Sequence, residues 1–266
     1  MRPFEATAAE RTDWSGSTDR VAIIAGSGVE RPLPGYRREL VETPYGTAVL
    51  YRSGDADPIF LSRHGVEHDV PPHRINYQAN VKALWQLGVT RVLATFTVGS
   101  IVENVRPGDL VLVDQLLDFT SARAATFFDG GSGVEHVDLT EPFCGSLRQQ
   151  LLDAAGASQA ELRPSGTYVC TNGPRLETAA EIRMYAMLGG HVVGMTALPE
   201  AALAREAGMH YAGIAVSVNW AAGVRGPVLI DREALAAARG RLFPLFIQTL
   251  RAALPAGCRC RWKTRV

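Results

Sequence analysis

The chain of 266 residues has no surplus of either charge: 27 Lys+Arg balance 27 Asp+Glu. Without a basic field, neither nucleic acid nor an anionic membrane is an expected partner. Cysteine is scarce. Cys144, Cys170, Cys258 and Cys260 form neither the pair of pairs of a zinc ribbon nor a disulfide framework, and Cys258-Arg259-Cys260 stands isolated near the end. Reduced thiols and no metal are therefore expected. No apolar run is long enough to span a bilayer. Residues 1–20 are polar and lack the apolar segment of a signal peptide, so the expected location is the cytoplasm. Internal repeats and low-complexity stretches are also missing. What is plentiful is apolar residues, 47% of the chain, enough for a sizeable core.

Those residues fall into alternating patterns. Val21 to Ala25 is a short apolar run closed by Gly26-Ser27-Gly28, which predicts a buried strand feeding a tight turn. Residues 47–52 and 58–62 predict a strand pair. Ile75, Ala79, Leu84 and Leu87 have helical spacing, and Gly88 ends that helix. Further strands are predicted at 91–97, 111–113, 166–170, 191–194 and 211–218. Helices are predicted at 145–156, 177–188, 199–207 and 231–250, the last capped by Asp231. Thr120 to Gly133 is a long polar and aromatic loop, a length that signals function or mobility. The alternation predicts one α/β domain over 21–254, with a central mixed, largely parallel sheet flanked by helices. Residues 1–20 form a flexible arm and 255–266 a tail.

Six segments hold chemistry-bearing residues, and five of them fall where a predicted strand ends. Gly26-Ser27-Gly28 offers backbone amides and a hydroxyl to an anion, although it has neither the Lys of a Walker loop nor the third glycine of a dinucleotide fingerprint. Arg63-His64 follows an apolar strand, where an Arg fork and an imidazole donor suit phosphate. Thr95 to Ser100 brings hydroxyls. Glu177 stands at a helix start, where it serves either a ligand or the helix itself. Met195-Thr196 and Asn219-Trp220-Ala221 complete the set. Each has a plain alternative as turn, strand or core, but one crevice can collect all six.

In order and spacing these residues resemble the trimeric nucleoside phosphorylases, the branch with purine nucleoside and methylthioadenosine phosphorylases. The runs that carry the resemblance are Ile24-Ala25-Gly26-Ser27-Gly28, Arg63-His64-Gly65, Asn76-Tyr77-Gln78-Ala79-Asn80, Glu141-Pro142-Phe143-Cys144, Gly173-Pro174-Arg175-Leu176-Glu177-Thr178, Gly194-Met195-Thr196, Pro199-Glu200 and Ala204-Arg205-Glu206-Ala207-Gly208. The resemblance implies a phosphate site of Ser27, Arg63, His64, Phe96 (through its backbone), Thr97 and Thr196. Met195 would lie under the ribose, and Asn219, Trp220 and Ala221 would meet the purine. It further implies a homotrimer or a dimer of trimers, with inorganic phosphate as co-substrate and no cofactor.

The base follows from hydrogen-bonding complementarity. Adenine-handling members of the family place an Asp-x-Asp pair where this chain has Asn219-Trp220-Ala221, and a serine where it has Glu177. An ionised Glu177 only accepts, which suits the N1–H of a 6-oxopurine and repels the bare N1 of adenine. Asn219 can donate to N7, and catalytic work is expected of Asn219 and His64. Gly226 to Ile230 is apolar and free of histidine, which suggests an apolar 5′ substituent such as methylthio. The first expectation is therefore phosphorolysis of S-methyl-5′-thioinosine. The alternatives are a general inosine/guanosine phosphorylase, a phosphorylase of methylthioadenosine or another 5′-deoxyadenosine, a hydrolase using water, and a binding protein without catalysis.

Overall fold

Unbroken runs of apolar residues need cover on both faces, and the strands at the centre of this protein have it. A computed structural model describes residues 20–32, 34–54, 57–131, 133–254, 258, 260 and 263–265. The expected N-terminal arm lies outside these, save Arg20. In chain order, β1 (Arg20–Ala25), the hairpin β2 (Arg37–Thr43) and β3 (Gly46–Arg52), and β4 (Ile59–Ser62) precede α1 (Tyr77–Gln86). Then come β5 (Val89–Ser100), β6 (Leu110–Leu112), β7 (Gln115–Phe119) and β8 (Glu135–Val137). The rest is α2 (Gly145–Ser158), β9 (Thr167–Thr171), α3 (Ala179–Met187), β10 (Val192–Gly194), α4 (Ala197–Glu206), β11 (His210–Trp220), α5 (Arg232–Arg251) and β12 (Lys263–Arg265).

The sheet is mixed, with parallel strands at its centre. β1 pairs parallel with β4 and β5, and β11 pairs parallel with β5. The hairpin adds to β4 antiparallel, and β6 adds to β11 antiparallel. β5 has 12 residues and two sets of neighbours. Its first half lies between β1 and β11, while Gly99 and Ser100 pair antiparallel with β10. β10, β9 and β7 continue the sheet in parallel. The carboxyl ends of β1, β4, β5 and β11 thus share one edge, where ligands collect in open α/β sheets.

Alternate residues of the central strands feed opposite layers. Ala22 and Ile24 pack with Leu61, Leu84 and Leu203, beside α1 and α4. Ile23 and Ala25 pack with Phe60, Leu147, Leu242 and Phe246, beside α2 and α5. Burying a Leu, Ile or Phe side chain stabilises by about 1.5–3 kcal/mol, so this two-sided cover sustains the layered fold.

The four cysteines do not stand apart as the sequence suggested. Cys170 is buried in β9, but Cys144, Cys258 and Cys260 meet beside His210. The tail is anchored beyond them, where β12 pairs antiparallel with β8. Their separation along the chain hid a convergence that only the packing of α2, β11 and the tail creates.

Candidate active site

The anion end is built by β1, β4 and β5. The Gly26 amide donates to Thr95 Oγ1 at 2.7 Å, and Thr97 Oγ1 donates to the Ser27 carbonyl at 2.6 Å. Two threonine hydroxyls on one face of β5 therefore set the course of the glycine turn. Gly26 is required there, because a Cβ would lie 2.7 Å from the Thr95 carbonyl oxygen and 3.0 Å from Arg63 Nη1. Thr97 was expected to offer its hydroxyl proton to the ligand. Its proton instead holds Ser27, so its contribution is to the shape of the turn.

Arg63 lies beneath that turn and is 2% exposed. Its Nε and Nη2 each donate to Glu200 at 2.7 Å, and its Nη1 donates to the Thr95 carbonyl at 2.9 Å. Tyr211 donates to the same carboxylate at 2.7 Å. Three of the five guanidinium N–H groups are thus occupied, and two remain for an anion at the Gly26 turn. The charge is fixed: Glu200 holds the Arg63 pKa above its usual range despite burial. Removing one partner of such a buried pair typically costs about 3–5 kcal/mol. Glu200 stood in the family run, but its direct grip on Arg63 was not anticipated.

His64 corrects an expectation. Its Nδ1 lies 2.9 Å from the Val70 carbonyl, which only accepts, so Nδ1 carries the hydrogen. Burial, and then the Arg63 charge, push its pKa down to about 4. At neutral pH His64 is uncharged and its Nε2 is a bare acceptor, not the added donor expected from the sequence. Its ring stacks on His68 at 5.0 Å. His68 Nδ1 in turn meets Glu30 Oε1 at 2.6 Å, and that oxygen accepts the Gly28 amide at 2.6 Å. One of the turn's amides therefore already faces an internal carboxylate. Glu30 carried no recognisable motif, and His68 stood out only as the end of the Arg63-His64 segment and the start of a loop, His68 to His73, expected to complete a neighbour's 5′ pocket.

Phe96 turns its ring away from the crevice. The ring is buried against Tyr168 at 5.2 Å, with the Arg63 guanidinium 5.2 Å from its centroid. The Tyr168 hydroxyl accepts the Thr196 amide at 3.2 Å, which connects this layer to the start of α4. Thr196 is the N-cap residue of α4, yet its side chain makes no capping bond and its hydroxyl instead meets that of Tyr168.

The other end is built by β9, β10 and β11. Glu177 lies outside α3. Thr178 caps that helix and Glu181 completes a capping box, so the helix already has its first-turn carboxylate. Glu177 instead turns back to the end of β9, where Thr171 Oγ1 donates to its Oε1 at 2.8 Å. Its second oxygen is left to accept from something else. Met195 packs on Gly173, where a Cβ would fall 2.3 Å from the sulfur.

Asn219 follows a register shift between Ser217 and Asn219 in the β5–β11 ladder. Such a bulge re-aims a side chain. Its amide packs on Gly99, whose Cβ would lie 2.9 Å from Nδ2, and Nδ2 donates to the Trp220 carbonyl at 2.8 Å. One amide N–H and the carbonyl oxygen stay available. Ala221 adjoins Gly99 as well, and Gly223 abuts Ala179 at the head of α3, which brings the Asn219 and Glu177 segments together. The Trp220 ring carries Arg225 at 4.9 Å.

Arg123 is the residue that the sequence did not single out. It enters from the long loop and donates from Nη1 to the carbonyls of Met195 and Leu198 at 2.9 and 2.6 Å. Its Nη2 donates to the carbonyls of Thr171 and Asn172 at 3.2 and 2.9 Å. One guanidinium thus ties the end of β9 to the β10–α4 turn. The loop itself is held by Glu206, which accepts from Thr126 Oγ1 and the Phe127 amide at 2.7 Å each.

Comparison with known proteins places the chain as a whole. Residues 20–250 match the family model described as Phosphorylase superfamily. The chain is 50% identical over 223 residues to the 6-oxopurine nucleoside phosphorylase of Pyrococcus furiosus, covering 80% of this chain and 84% of that protein. It is 49% identical over 207 residues to a probable S-methyl-5′-thioinosine phosphorylase of Methanopyrus kandleri, covering 77% and 80%. Among solved structures it resembles methylthioadenosine phosphorylase from Schistosoma mansoni in complex with adenine, with TM-score 0.82, 32% identity and coverage of 87% of this chain and 90% of that one.

Proposed function

Because the chain belongs to the Phosphorylase superfamily, we propose that it cleaves the glycosidic bond of a 6-oxopurine nucleoside with inorganic phosphate, releasing the free base and a pentose 1-phosphate. The observation that carries the base assignment is Glu177. Thr171 orients it, the helix cap next to it is already filled, and its free oxygen only accepts. That oxygen matches the N1–H of hypoxanthine or guanine and opposes the N1 lone pair of adenine. The 50% identical relative named for 6-oxopurine nucleosides supports the same reading.

Phosphate sits at the Gly26 turn, against the two spare N–H groups of Arg63 and the hydroxyls of Ser27 and Thr196. The uncharged His64 accepts a hydrogen bond at Nε2 from the one hydroxyl of monohydrogen phosphate. This favours the dianion and turns its unprotonated oxygens toward the sugar. The C1′–N9 bond stretches to an oxocarbenium-like sugar above Met195, and a phosphate oxygen closes on C1′ from the opposite face. Asn219 donates to N7 as the electron pair moves onto the base. In sum, the proton that phosphate gives up is the one the free base gains. The residues assigned to these steps ask for no metal or organic cofactor.

The 5′ substituent meets the segment Gly226 to Ile230. In the single chain Leu229 and Ile230 are 72% and 61% exposed, an apolar wall with one side open. A neighbouring copy closing it in a homotrimer gives a pocket for methylthio, so S-methyl-5′-thioinosine is the preferred substrate and inosine or guanosine the next. The described residues include no helix long and apolar enough to cross a membrane, and a cytoplasmic location is in keeping with purine salvage. The deciding assay follows purine release from methylthioinosine, inosine, guanosine and methylthioadenosine, each with and without phosphate. Phosphate-dependent release of hypoxanthine, fastest from methylthioinosine, is expected. Equal rates without phosphate indicate a hydrolase, and a preference for methylthioadenosine overturns the Glu177 assignment.

A further inference from the structure

Four side chains from three distant parts of the chain converge away from the crevice. Cys144 is the N-cap residue of α2, His210 opens β11, and Cys258 and Cys260 follow α5. Cys144 Sγ lies 3.5 Å from His210 Nδ1 and 3.5 Å from Cys258 Sγ, and Cys258 Sγ lies 3.0 Å from Cys260 Sγ. All four potential ligand atoms are within 4.8 Å of one another. Cys144, His210 and Cys260 are buried and Cys258 is half-buried.

We propose that Cys144, His210, Cys258 and Cys260 bind one structural zinc ion that fastens the C-terminal tail to the amino ends of α2 and β11. Three sulfurs and one imidazole are a known closed tetrahedral set for zinc. With bonds of about 2.3 Å to sulfur and 2.0–2.1 Å to nitrogen, tetrahedral angles place sulfur and nitrogen about 3.6 Å apart and two sulfurs about 3.8 Å apart. Both contacts of Cys144 lie close to those edges. The Cys258–Cys260 separation is well beyond a disulfide bond of about 2.05 Å. Cys258 and Cys260, one residue apart, can both turn inward from an extended tail, while α2 and β11 supply a pre-formed half of the site. Binding expels the thiol protons to solvent, so the affinity falls in acid. The inference is independent of the proposed reaction.

The test is metal analysis of the full-length protein, purified without a metal column or chelator and kept reduced. About one zinc per chain is expected by elemental analysis and by native mass spectrometry. Cobalt added after chelation should produce the thiolate-to-cobalt absorption of a tetrahedral site. Cys144→Ser removes one sulfur while keeping a good helix cap, and Cys260→Ser alters only the tail. Each should lose zinc and melt at lower temperature than the parent. Wild-type protein lacking zinc in stoichiometric amount overturns the proposal, whether its thiols titrate freely or its mass shows the loss of two hydrogens in a Cys258–Cys260 disulfide. So does zinc retained at full occupancy in both variants.

Discussion

Changing Glu177 to Gln preserves the shape of the side chain and removes its charge, and the surroundings define the consequence. In the parent, Thr171 Oγ1 donates to Glu177 Oε1 at 2.8 Å, and the same hydroxyl lies 3.4 Å from the Gly194 carbonyl. The new amide has two settings. With its oxygen on Thr171, its NH2 faces the base, clashing with a 6-oxopurine N1–H and matching the N1 of adenine. With its NH2 on Thr171, the hydroxyl turns its proton to Gly194, and a neutral oxygen meets the 6-oxopurine. The first setting loses a charge-assisted bond of about 1.5–3 kcal/mol, and the second loses roughly half of it. At 1.4 kcal/mol per factor of ten, kcat/KM for inosine should fall about 3- to 100-fold across the two settings. The value for adenosine should rise, so that their ratio moves by about two orders of magnitude. Initial rates for both nucleosides under saturating phosphate measure the ratio directly. A thermal melt serves as the control, and little change is expected there, since Glu177 is only half-buried. A ratio that moves less than about threefold, equivalent to under 0.7 kcal/mol, refutes the assignment of Glu177 to N1.

Asn219→Ala should reduce kcat by about 10- to 100-fold with a smaller change in KM, because the bond to N7 strengthens as the base departs; an unchanged kcat with a raised KM denies it that role. Arg123→Lys substitutes a point charge for a fork that holds four carbonyls. A lysine cannot satisfy all four, and each buried carbonyl left without a partner costs about 1–3 kcal/mol. A lower kcat for every nucleoside and a depressed melting temperature are expected, and a variant with parental kinetics would make the fork dispensable. His64 supplies the pH dependence. Its pKa of about 4 in the folded chain is below the ordinary 6.5, so between those values the unfolded chain holds the extra proton. Stability is therefore full above pH 6.5 and declines as pH falls toward 4, by about 3 kcal/mol at most. Denaturant midpoints over this range should show the decline flattened in His64→Asn, and identical slopes would contradict it.

The central strands were legible because burial on both faces leaves a continuous apolar run, as in Val21 to Ala25. β2 escaped notice because it is an edge strand with a partly exposed, charged sequence, Arg37-Arg38-Glu39-Leu40. β7 is the opposite edge strand and largely exposed, and β8 pairs only with β12 outside the main sheet, so neither carries a continuous buried apolar run. The sequence pattern of β5 ends at Thr97 because Gly99-Ser100 has the composition of a turn, whereas pairing with β10 and β11 keeps those residues extended. Glu177 was ambiguous until Thr178 and Glu181 took the capping role. Arg123 was invisible for a more general reason. Its partners are backbone carbonyls, which every residue possesses, so no pattern of side chains announces it. His64 was recognised as a residue but misjudged as a donor, since its tautomer depends on the Val70 carbonyl six positions later.

The two ends of the crevice are held by largely different bonds, with Arg123 reaching both through the turn that carries Thr196. Thr95, Thr97 and Glu200 secure the proposed anion side, while Thr171, Arg123 and Gly99 seat the groups proposed to face the base. A lineage carrying this scaffold can change its nucleobase through a few codons around 177 and 219–221 without first dismantling the apparatus that handles phosphate. Selection can thus adjust diet and chemistry separately, and the anion turn is the part expected to outlast such changes.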